Sequence, residues 1–335
     1  MSGAVISGGS GTPDLAGSRA LIAGGLGFLG LNLVGPLLDA GAEVRVLSRS
    51  LHPLALAWLD EICGGRAVEV VQRDLGDAER HPEWFDGFDL IFQLAGESGA
   101  AQSVREARAD MQANVAGHLA LLEAIRSLAS PPRVVFASSR LVYGSTGSEP
   151  VSEEHPTRPT SLYGVHKLTV EHYHRLYWMH YGVPFCALRI TNPYGPYQLP
   201  GRRHYGILNH FAMTALAGET ISLYGGGGQL RDYIHVADVA RALLLAATAE
   251  RASGEIFNLG AGRSVTLQGA ASRLVALAGA GRLEEVAWPE GALRVETGDF
   301  VCDVARIAER LGWRAEIDLD SGLGATLDAY RRLLP

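Results

Sequence analysis

The sequence predicts an α/β fold with a doubly wound parallel sheet and a smaller C-terminal domain. Two observations support this prediction: short apolar segments typical of buried strands alternate with helical stretches, and a glycine-rich turn joins the first strand to the first helix. After residue 190 the alternation becomes less regular, which marks the smaller part. The predicted strands are 20–23, 43–47, 68–72, 90–94, 133–137 and 185–190, and the predicted helices are 28–40, 107–128, 163–181, 207–217 and one after residue 320.

The turn after the first strand is the first candidate binding element. The strand runs directly into Gly24, Gly27 and Gly30, and the first helix begins within the turn. Glycines at this spacing permit a tight turn, close approach of the backbone to a pyrophosphate, and close packing of the helix on the strand. The helix N-terminus then directs unpaired N–H groups at the phosphates. The turn therefore predicts a dinucleotide site of the Rossmann type.

A second group of residues forms a candidate acid/base site. Ser139 follows strand 133–137, and Tyr163 and Lys167 are spaced i and i+4, so in a helix their side chains project from one face. A free tyrosine has a pKa of about 10, and a nearby fixed cation favours its phenolate. Tyr163 is therefore the candidate acid/base group, with Lys167 as its supporting cation and Ser139 holding the substrate oxygen. The alternative is that Tyr163 and Lys167 form an ordinary pair on a helix surface.

These motifs, together with later segments in the same order, resemble the extended short-chain dehydrogenase/reductase family. The resemblance is to the UDP-glucose 4-epimerase-like epimerases and dehydratases of nucleotide-diphosphate sugars, and it covers about residues 18–330. Its further landmarks are Asp74-Leu75, Gln93-Leu94-Ala95-Gly96, Asn114, Asn192-Pro193-Tyr194-Gly195-Pro196 and the segment that begins Arg231-Asp232-Tyr233.

The resemblance implies a domain organisation and a set of site residues. Residues 1–17 are expected to form a flexible lead-in, 18–190 mainly the Rossmann domain that binds NAD(P), and 191–335 mainly the substrate-binding portion, with segments that return to the first domain. The implied substrate contacts are Ser139, Tyr163, Asn192 and Arg231, the last on the diphosphate. The implied cofactor contacts are Gly24, Gly27, Phe28, Leu29, Gly30, Ser48, Arg49, Asp74, Leu75, Leu94, Ala95, Gly96, Asn114, Tyr163 and Lys167.

Composition is typical of a cytosolic enzyme and argues against several other classes of protein. The chain of 335 residues with 47% hydrophobic content can build a large core, and its net charge of −7 argues against a nucleic-acid partner. Three widely spaced cysteines, Cys63, Cys186 and Cys302, predict neither a disulfide framework nor a metal site. No apolar run approaches the ~20 residues that span a bilayer, and no signal peptide is recognisable. We therefore expect a cytoplasmic protein that has no membrane partner.

The identity of the cofactor depends on the end of the second strand. An acidic residue there normally binds the adenosine ribose hydroxyls and selects NAD, whereas this strand ends in Ser48 and Arg49. Arg49 could pair with the additional phosphate of NADP, or it could be solvated or stacked on adenine. NAD is the expected cofactor because related epimerases keep NAD, and NADP is the alternative.

The residues beside Ser139 indicate the class of reaction. In the 4,6-dehydratases that resemble this chain, an Asp-Glu pair precedes Val-Tyr-Gly, and here Arg140 and Leu141 occupy those positions. Without the carboxyl groups, elimination of water across C5 and C6 is disfavoured. We expect a 4-epimerase, in which Tyr163 takes the proton of the sugar 4-hydroxyl and a transient 4-keto sugar is reduced on its other face by the retained cofactor. The alternatives are an NADPH-dependent 4-keto-sugar reductase and a non-catalytic dinucleotide-binding protein.

The expected diphosphate contacts depart from the family pattern near the C-terminus. Many relatives carry an arginine two residues before the glycine of a Gly-Asp pair, and here Glu296 holds that place before Gly298. A carboxylate cannot neutralise a diphosphate, so Arg231 must carry more of that task unless it forms an ordinary ion pair with Asp232. The other arginines that could contribute are Arg202, Arg203 and Arg294.

The family also implies a homodimer, in which two long helices of each subunit pack as a four-helix bundle. Helices 107–128 and 163–181 are the candidates here. Within the second helix, His166 is expected to be a surface or packing residue rather than a catalytic one. His235 and Asp238 are expected to cap or brace the helix that follows them.

Overall fold

A seven-stranded parallel sheet forms the centre of the computed structural model, which describes residues 13–147, 150–201, 206–290, 293 and 295–333. The strands of the protein are β1 (Arg19–Ala23), β2 (Glu43–Ser48), β3 (Val68–Gln72), β4 (Leu90–Gln93), β5 (Arg133–Ser139), β6 (Pro150–Val151), β7 (Phe185–Ile190), β8 (Asn192–Tyr194), β9 (Thr220–Tyr224), β10 (Leu230–His235), β11 (Glu255–Leu259), β12 (Ser264–Thr266), β13 (Arg282–Val286) and β14 (Val301–Cys302). The large sheet has the order β3-β2-β1-β4-β5-β7-β11. The strand order reverses between β1 and β4, and ligands bind at such a point, beyond the carboxyl ends of the strands.

Helices cover both faces of this sheet. They are α1 (Phe28–Asp39), α2 (Pro53–Cys63), α3 (Ala100–Arg105), α4 (Ala107–Met111), α5 (Gly117–Arg126), α6 (Leu162–Tyr181), α7 (Ile207–Leu216), α8 (Val236–Thr248), α9 (Leu267–Ala278), α10 (Ala305–Leu311) and α11 (Leu319–Leu333). Successive side chains of a strand point to opposite faces. Ile22 therefore packs in the apolar cluster with α1, α2 and α8, whereas Leu21 and Ala23 pack in the cluster with α5 and α6.

The remaining strands form three small sheets. β10 pairs in parallel with β8 and antiparallel with β12, while β9 pairs with β13 and β6 with β14, both in parallel. Helices α7, α9 and α11 enclose an apolar cluster that includes Leu208, Leu274 and Leu327. The same part of the chain also contributes to the large sheet, because β11 pairs with β7 and α8 packs against α1.

The predicted fold class is confirmed. Each of the six predicted strands overlaps an observed strand of the large sheet, and their ends differ by no more than two residues. The prediction gives no bounds for helices α2, α3, α8, α9 and α10, and it does not include the seventh strand β11 of the large sheet. The polar Glu255 and Asn258 interrupt the apolar pattern of β11, and the strand forms because it adds to the exposed edge of β7.

The predicted helix 107–128 is present up to residue 126, and it contains a turn of π-helix. A π-helical turn, Gln112–Ala116, separates α4 from α5, and α5 ends at Arg126. Within the turn, Asn114 is fully buried, and its Nδ2 donates to Glu97 O at 3.0 Å. Such turns insert one residue into a helix and are common at functional sites.

Helix α1 packs so closely on the turn before it that Gly30 has no room for a side chain. A Cβ atom at Gly30 would lie 2.5 Å from Gly25 Cα and 2.6 Å from Gly24 O. Because these neighbours are backbone atoms, they cannot move without shifting the strand end or the helix. The glycine at this position therefore sets the distance between β1 and α1.

We expect Gly30→Ala to lower the free energy of unfolding by about 1–3 kcal/mol, because the added methyl group overpacks the turn. Gly324→Ala is the matched control: Gly324 lies in α11, and apart from its chain neighbours and the backbone of its own helix, no atom of the described residues lies within 4 Å of an added Cβ. Alanine there should raise the free energy of unfolding by up to about 1 kcal/mol. Urea denaturation measures both values, and equal effects of the two substitutions would contradict the packing constraint.

Candidate active site

The glycine turn and the end of β4 form one continuous backbone surface. Gly24 has a φ of +83°, and a Cβ atom there would lie 2.7 Å from Ala95 N and 3.0 Å from Leu94 C. The N-terminus of α1, at Phe28 and Leu29, has no side-chain cap, because its N-cap residue is a glycine. A helix end of this kind binds phosphate through its first N–H groups.

Gly96 extends this backbone surface, which no side chain covers, towards the side chains of Asn114 and Lys167. A Cβ atom at Gly96 would overlap Asn114 Oδ1 and would lie 3.7 Å from Lys167 Nζ. Asn114 Oδ1 is buried and accepts no hydrogen bond from the described residues. A buried acceptor without a donor is costly. The uncovered backbone and the unpaired acceptor together fit a bound dinucleotide.

Lys167 lies at the centre of the site. It is 4% exposed, and its Nζ donates to Ala137 O at 2.9 Å while lying 5.7 Å from the centre of the Tyr163 ring. Burial lowers the pKa of Lys167 to about 8, against the opposing effect of the carboxylates of Asp110 and Glu171. The predicted helical spacing is therefore present in α6, and it brings the ammonium beside the tyrosine.

Tyr163 and Ser139 occupy the ends of neighbouring elements. Tyr163 is buried near the start of α6, and its backbone N–H donates to Ser103 Oγ at 3.0 Å. Ser139 ends β5 and begins a short 3₁₀ turn, Arg140–Val142, in which Ser139 Oγ accepts from Leu141 N at 3.2 Å. The sequence gives no signal for the role of Ser103, because a hydroxyl that fixes a backbone N–H 60 residues away leaves no local pattern.

A buried ion pair holds the strand next to the site. Glu171 Oε2 accepts from Arg189 Nη2 at 2.7 Å, and Glu171 Oε1 accepts from Ser138 Oγ at 2.5 Å. Arg189 also donates to the hydroxyl of Tyr143, which donates to Asn258 Oδ1. Since Ser138 and Ser139 are adjacent in β5, this network restrains the strand end that carries Ser139.

Arg49, just after the second strand, forms an ion pair that is not among the predictions from the sequence. Arg49 is neither fully solvated nor alone, because its Nη2 lies 2.8 Å from Glu97 Oε1. Glu97 follows Gly96 in the segment after β4, which lies on the other side of β1, so this segment supplies a carboxylate at the edge where β2 has none. Glu97 is not among the predicted site residues, although its place directly after the Leu94–Gly96 segment is a usable signal.

Three other expected cofactor residues lie at the same edge of the sheet. Ser48 Oγ donates to Ser50 O at 2.9 Å and closes the turn after β2. Asp74 follows β3, and its Oδ1 accepts from Gly76 N at 2.9 Å. Leu75 is buried in the apolar cluster beneath α5.

Arg231 lies in β10 and is held by other parts of the chain. Its Nη1 donates to Gly298 O at 2.6 Å, and its Nη2 forms an ion pair with Glu296. The alternative pairing with Asp232 is wrong, because Asp232 accepts the N–H groups of Ala261 and Gly262 instead. Side chains alternate along a strand, so Arg231 and Asp232 point to opposite faces.

Asn192 is fixed next to Arg231. It begins β8, and its Nδ2 donates to Asp232 O at 2.8 Å across the parallel pair with β10. The other arginines considered for the diphosphate, Arg202, Arg203 and Arg294, lie outside the described residues.

Arg140 is a buried side chain whose contribution the sequence analysis missed. It is 7% exposed, its Nη1 donates to Thr297 Oγ1 at 3.0 Å, and its guanidinium lies 5.1 Å from the centre of the Phe300 ring. Burial first, and then the nearby charge of Arg231, lower the pKa of Arg140 to about 10. The only prediction made from the sequence at this position concerns the missing carboxylate.

The other polar residues near the motifs stabilise the structure. His166 is largely buried, and its Nδ1 lies 2.5 Å from Asp110 Oδ1. His235 Nδ1 accepts from Ala237 N at the start of α8, and Asp238 accepts from the backbone N–H groups of Glu316 and Ile317. His235 therefore caps the helix and Asp238 braces it against the C-terminal segment.

Comparison with known proteins identifies the family. A sequence profile described as the NAD dependent epimerase/dehydratase family matches residues 20–260, which is more than half of the chain. The chain belongs to this family. Membership of the NAD dependent epimerase/dehydratase family confirms the resemblance inferred from the motifs, and it identifies the protein as a family enzyme of nucleotide-sugar metabolism.

Members of the family that are similar to this chain differ in activity. The UDP-glucose 4-epimerase of Mycolicibacterium smegmatis is 31% identical over 333 residues, covering 93% of this chain and 98% of its own. The probable dTDP-glucose 4,6-dehydratase of Sinorhizobium fredii is 30% identical over 330 residues, covering 93% and 92%. The crystal structure of the UDP-glucose 4-epimerase of Thermotoga maritima with UDP-glucose is 29% identical, with a TM-score of 0.85 over 95% of this chain and 100% of that one. Similarity alone does not separate the two activities.

The described residues contain neither a cluster of metal ligands nor a membrane-spanning helix. His, Cys, Asp and Glu side chains are nowhere grouped in threes as a metal ion would need. No helix there combines the length and the apolar composition required to cross a bilayer.

We expect the buried charge of Lys167 to reduce stability at neutral pH. Its pKa is about 8 in the fold and 10.5 when exposed, so the unfolded chain binds more protons between these values and stability rises with pH across this window. Lys167→Met removes this titration. The free energy of unfolding of Lys167→Met minus that of the wild type should therefore fall by roughly 3 kcal/mol between pH 7 and 10.5, at 1.36 kcal/mol per pKa unit.

Urea denaturation of nucleotide-free protein across this pH range measures the difference between Lys167→Met and the wild type. Both proteins should carry Tyr163→Phe, because Lys167 is proposed to favour the ionised form of Tyr163, and the titrating groups that the two proteins share then largely cancel in the comparison. A difference that does not change with pH would show that Lys167 keeps its ordinary pKa in the fold.

Proposed function

We propose that the protein is a nucleotide-diphosphate-sugar 4-epimerase that retains NAD throughout its catalytic cycle. The observation that carries the proposal is the buried Lys167 Nζ, which lies 5.7 Å from the centre of the Tyr163 ring and beside Gly96. A nearby ammonium favours the phenolate, which is the proton-accepting state of tyrosine. Arg140 and Leu141 stand where the related dehydratases carry carboxyl groups, which supports epimerisation over elimination of water.

Each proposed catalytic residue has one task. Tyr163 accepts the proton of the sugar 4-hydroxyl and later returns a proton to the same oxygen. Lys167 stabilises the phenolate, and its hydrogen bond to Ala137 O fixes the position of the charge. Ser139 donates a hydrogen bond to the substrate oxygen and thereby orients C4. The hydrogen bond from Ser138 to Glu171 restrains the end of β5, and this supports the proposed role of Ser139, the next residue of the strand.

The residues proposed to hold the dinucleotide line the uncovered backbone surface. When bound, NAD supplies reversible removal of the hydride from C4. Asn114 Oδ1 offers an unpaired acceptor, and Lys167 has further N–H groups for the nicotinamide ribose. The remaining proposed contacts are Gly24, Gly27, Phe28, Leu29, Gly30, Ser48, Arg49, Asp74, Leu75, Leu94, Ala95 and Gly96.

The ion pair between Arg49 and Glu97 favours NAD over NADP. A guanidinium that already has a carboxylate at 2.8 Å is partly neutralised, and a bound 2′-phosphate would also approach that carboxylate. This weakens the keto-sugar reductase as the second candidate, because Arg49 was the feature that favoured it.

Residues 191–335 are proposed to supply mainly substrate contacts, with Asn192 near the sugar nucleotide and Arg231 on its diphosphate.

Exposed apolar side chains support a homodimer through α6. Val165, Leu176 and Met179 lie on one face of this helix, and Met111 at the end of α4 is also exposed. Apolar surface grouped in this way is typical of protein interfaces. We propose that this face packs on its equivalent in a second copy of the chain.

Mass spectrometry of nucleotide released from the freshly purified protein tests the proposed function. We expect NAD or NADH in near-equimolar amount and NMR-detected exchange of C4 epimers of UDP-hexoses or dTDP-hexoses. Tyr163→Phe should keep the bound nucleotide and lose about 10²- to 10⁴-fold in turnover, the usual contribution of acid/base catalysis. Recovery of NADP with reduction of an added 4-keto sugar would favour the reductase, and loss of water from the sugar would identify a dehydratase.

Sedimentation at micromolar concentration tests the homodimer. We expect twice the monomer mass for the wild type and a monomer for Met179→Asp, because a carboxylate would be buried without a partner in the interface. Leu277→Asp is the control, since Leu277 is similarly exposed but lies on α9. A monomeric wild type would refute the dimer.

A further inference from the structure

A group of buried polar side chains on the core side of Lys167 has no part in the proposed mechanism. Ten buried side-chain nitrogen or oxygen atoms have no hydrogen-bond partner among the described residues, and six of them belong to Gln93, His118 and His174. These residues are 0%, 0% and 1% exposed. A buried polar atom without a partner is costly, so native structures usually satisfy it with a neighbour or an ordered ligand. Six such atoms in three residues indicate a shared ligand.

One aromatic ring brings these side chains and Lys167 together. Gln93 and Phe136 are partners in the register of β4 and β5, so their side chains point to the same face of the sheet. The ring centres of His118, on α5, and His174, on α6, each lie 5.2 Å from the centre of the Phe136 ring. Lys167 Nζ lies 4.9 Å from that same centre, and its charge acts on both imidazoles. The unpartnered atoms therefore lie close to the ammonium of the candidate acid/base site.

The hydrogen-bonding capacity of this group indicates the class of ligand. A neutral imidazole has one donor and one acceptor, and a glutamine amide also has both. Burial first, and then the charge of Lys167, lower the pKa of His118 and of His174, the latter to about 3, so both rings are neutral near pH 7. An anion would satisfy only the donors, and a cation would satisfy only the acceptors. Water satisfies both, and internal water typically makes about three hydrogen bonds to buried polar groups.

The ammonium of Lys167 can use a further acceptor on this side. It has three N–H donors, and Ala137 O accepts one of them. The carboxylates that favour its charged form, those of Asp110 and Glu171, are engaged in ion pairs with other side chains. A water molecule held by the imidazoles would accept another N–H of Lys167, and such a bridge is nearly as favourable as a direct hydrogen bond.

We propose that Gln93, His118 and His174 bind internal water that accepts a hydrogen bond from the Lys167 ammonium. The inference rests on the proposed role of Lys167 as the cation that favours the phenolate of Tyr163. The three polar side chains are positioning residues, because they act on Tyr163 only through the charge of Lys167. Loss of the water should make Lys167 release its proton more readily.

Lysine NMR tests this proposal directly, because Lys167 is the only lysine of the chain. Purified protein that contains lysine labelled with ¹³C at Cε gives one side-chain signal, whose chemical shift reports the protonation of Lys167 as pH is varied. All proteins compared carry Tyr163→Phe, so that no phenol titrates beside the lysine. We expect His118→Leu combined with His174→Leu to weaken proton binding to Lys167 by about 10-fold, the value of one hydrogen bond to a charged group.

Two control variants separate hydrogen bonding from packing. His118→Gln combined with His174→Gln keeps a donor and an acceptor at each position and should leave the proton affinity of Lys167 nearly unchanged. His172→Leu, at an exposed position of α6, should also leave it unchanged. No effect of the leucine pair, or equal effects of the leucine and glutamine pairs, would overturn the proposal. A high-resolution crystal structure without ordered water at the two imidazoles would overturn it as well.

The pH dependence of turnover tests the connection to catalysis. With Tyr163 present, the leucine pair should move the alkaline limit of kcat to lower pH, because Lys167 loses its charge earlier, whereas the glutamine pair should not. A changed proton affinity with an unchanged pH profile would overturn the positioning role. A response of the lysine signal in a protein that shows no exchange at C4 would support the water site and overturn the 4-epimerase.

Discussion

The hydrogen bond from Lys167 Nζ to Ala137 O is the interaction on which the site depends. It ties helix α6 to the end of β5 at the level where the strand turns into Ser139. Because the ammonium is almost completely buried, it cannot rearrange without leaving a charge unpaired in a medium of low polarity. The neighbouring carboxylate of Glu171 is fixed in turn by Arg189 and Ser138. Tyr163, the proposed acid/base group, therefore belongs to a rigid unit of one helix and one strand.

Local patterns in the sequence predict the parts of this unit that arise within one segment. The glycine spacing after β1 predicts the turn, since Gly24 and Gly30 each leave no space for a side chain. The i and i+4 spacing predicts that Tyr163 and Lys167 share a face, and parallel strands of continuous apolar character predict a sheet covered on both sides. Each of these features follows from geometry that repeats over a few residues.

Contacts between distant segments could not be predicted in this way. Arg49 meets Glu97 only because the ends of β2 and β4 lie on either side of β1. Arg231 meets Glu296, and Arg140 meets Thr297, because residues 296–300 run along β10 and the 3₁₀ turn after β5. These pairs join residues from 48 to 157 positions apart, so no periodicity records them. The ion pairs and hydrogen bonds of these three arginines are all of this long-range kind.

The π-helical turn Gln112–Ala116 also fixes the rotational phase of the helix that runs from α4 to α5. One residue of an α-helix corresponds to a rotation of about 100°, so an extra residue changes which side chains face the sheet from that point onward. Before the turn, Asp110 faces His166 on α6, and after it Leu121 and Ile125 face the apolar core. Asn114 lies within the π-helical turn, between α4 and α5, and its side chain is directed towards Gly96. A single-residue insertion in the helix thus lets one continuous element present a polar stripe to the site and an apolar stripe to the core.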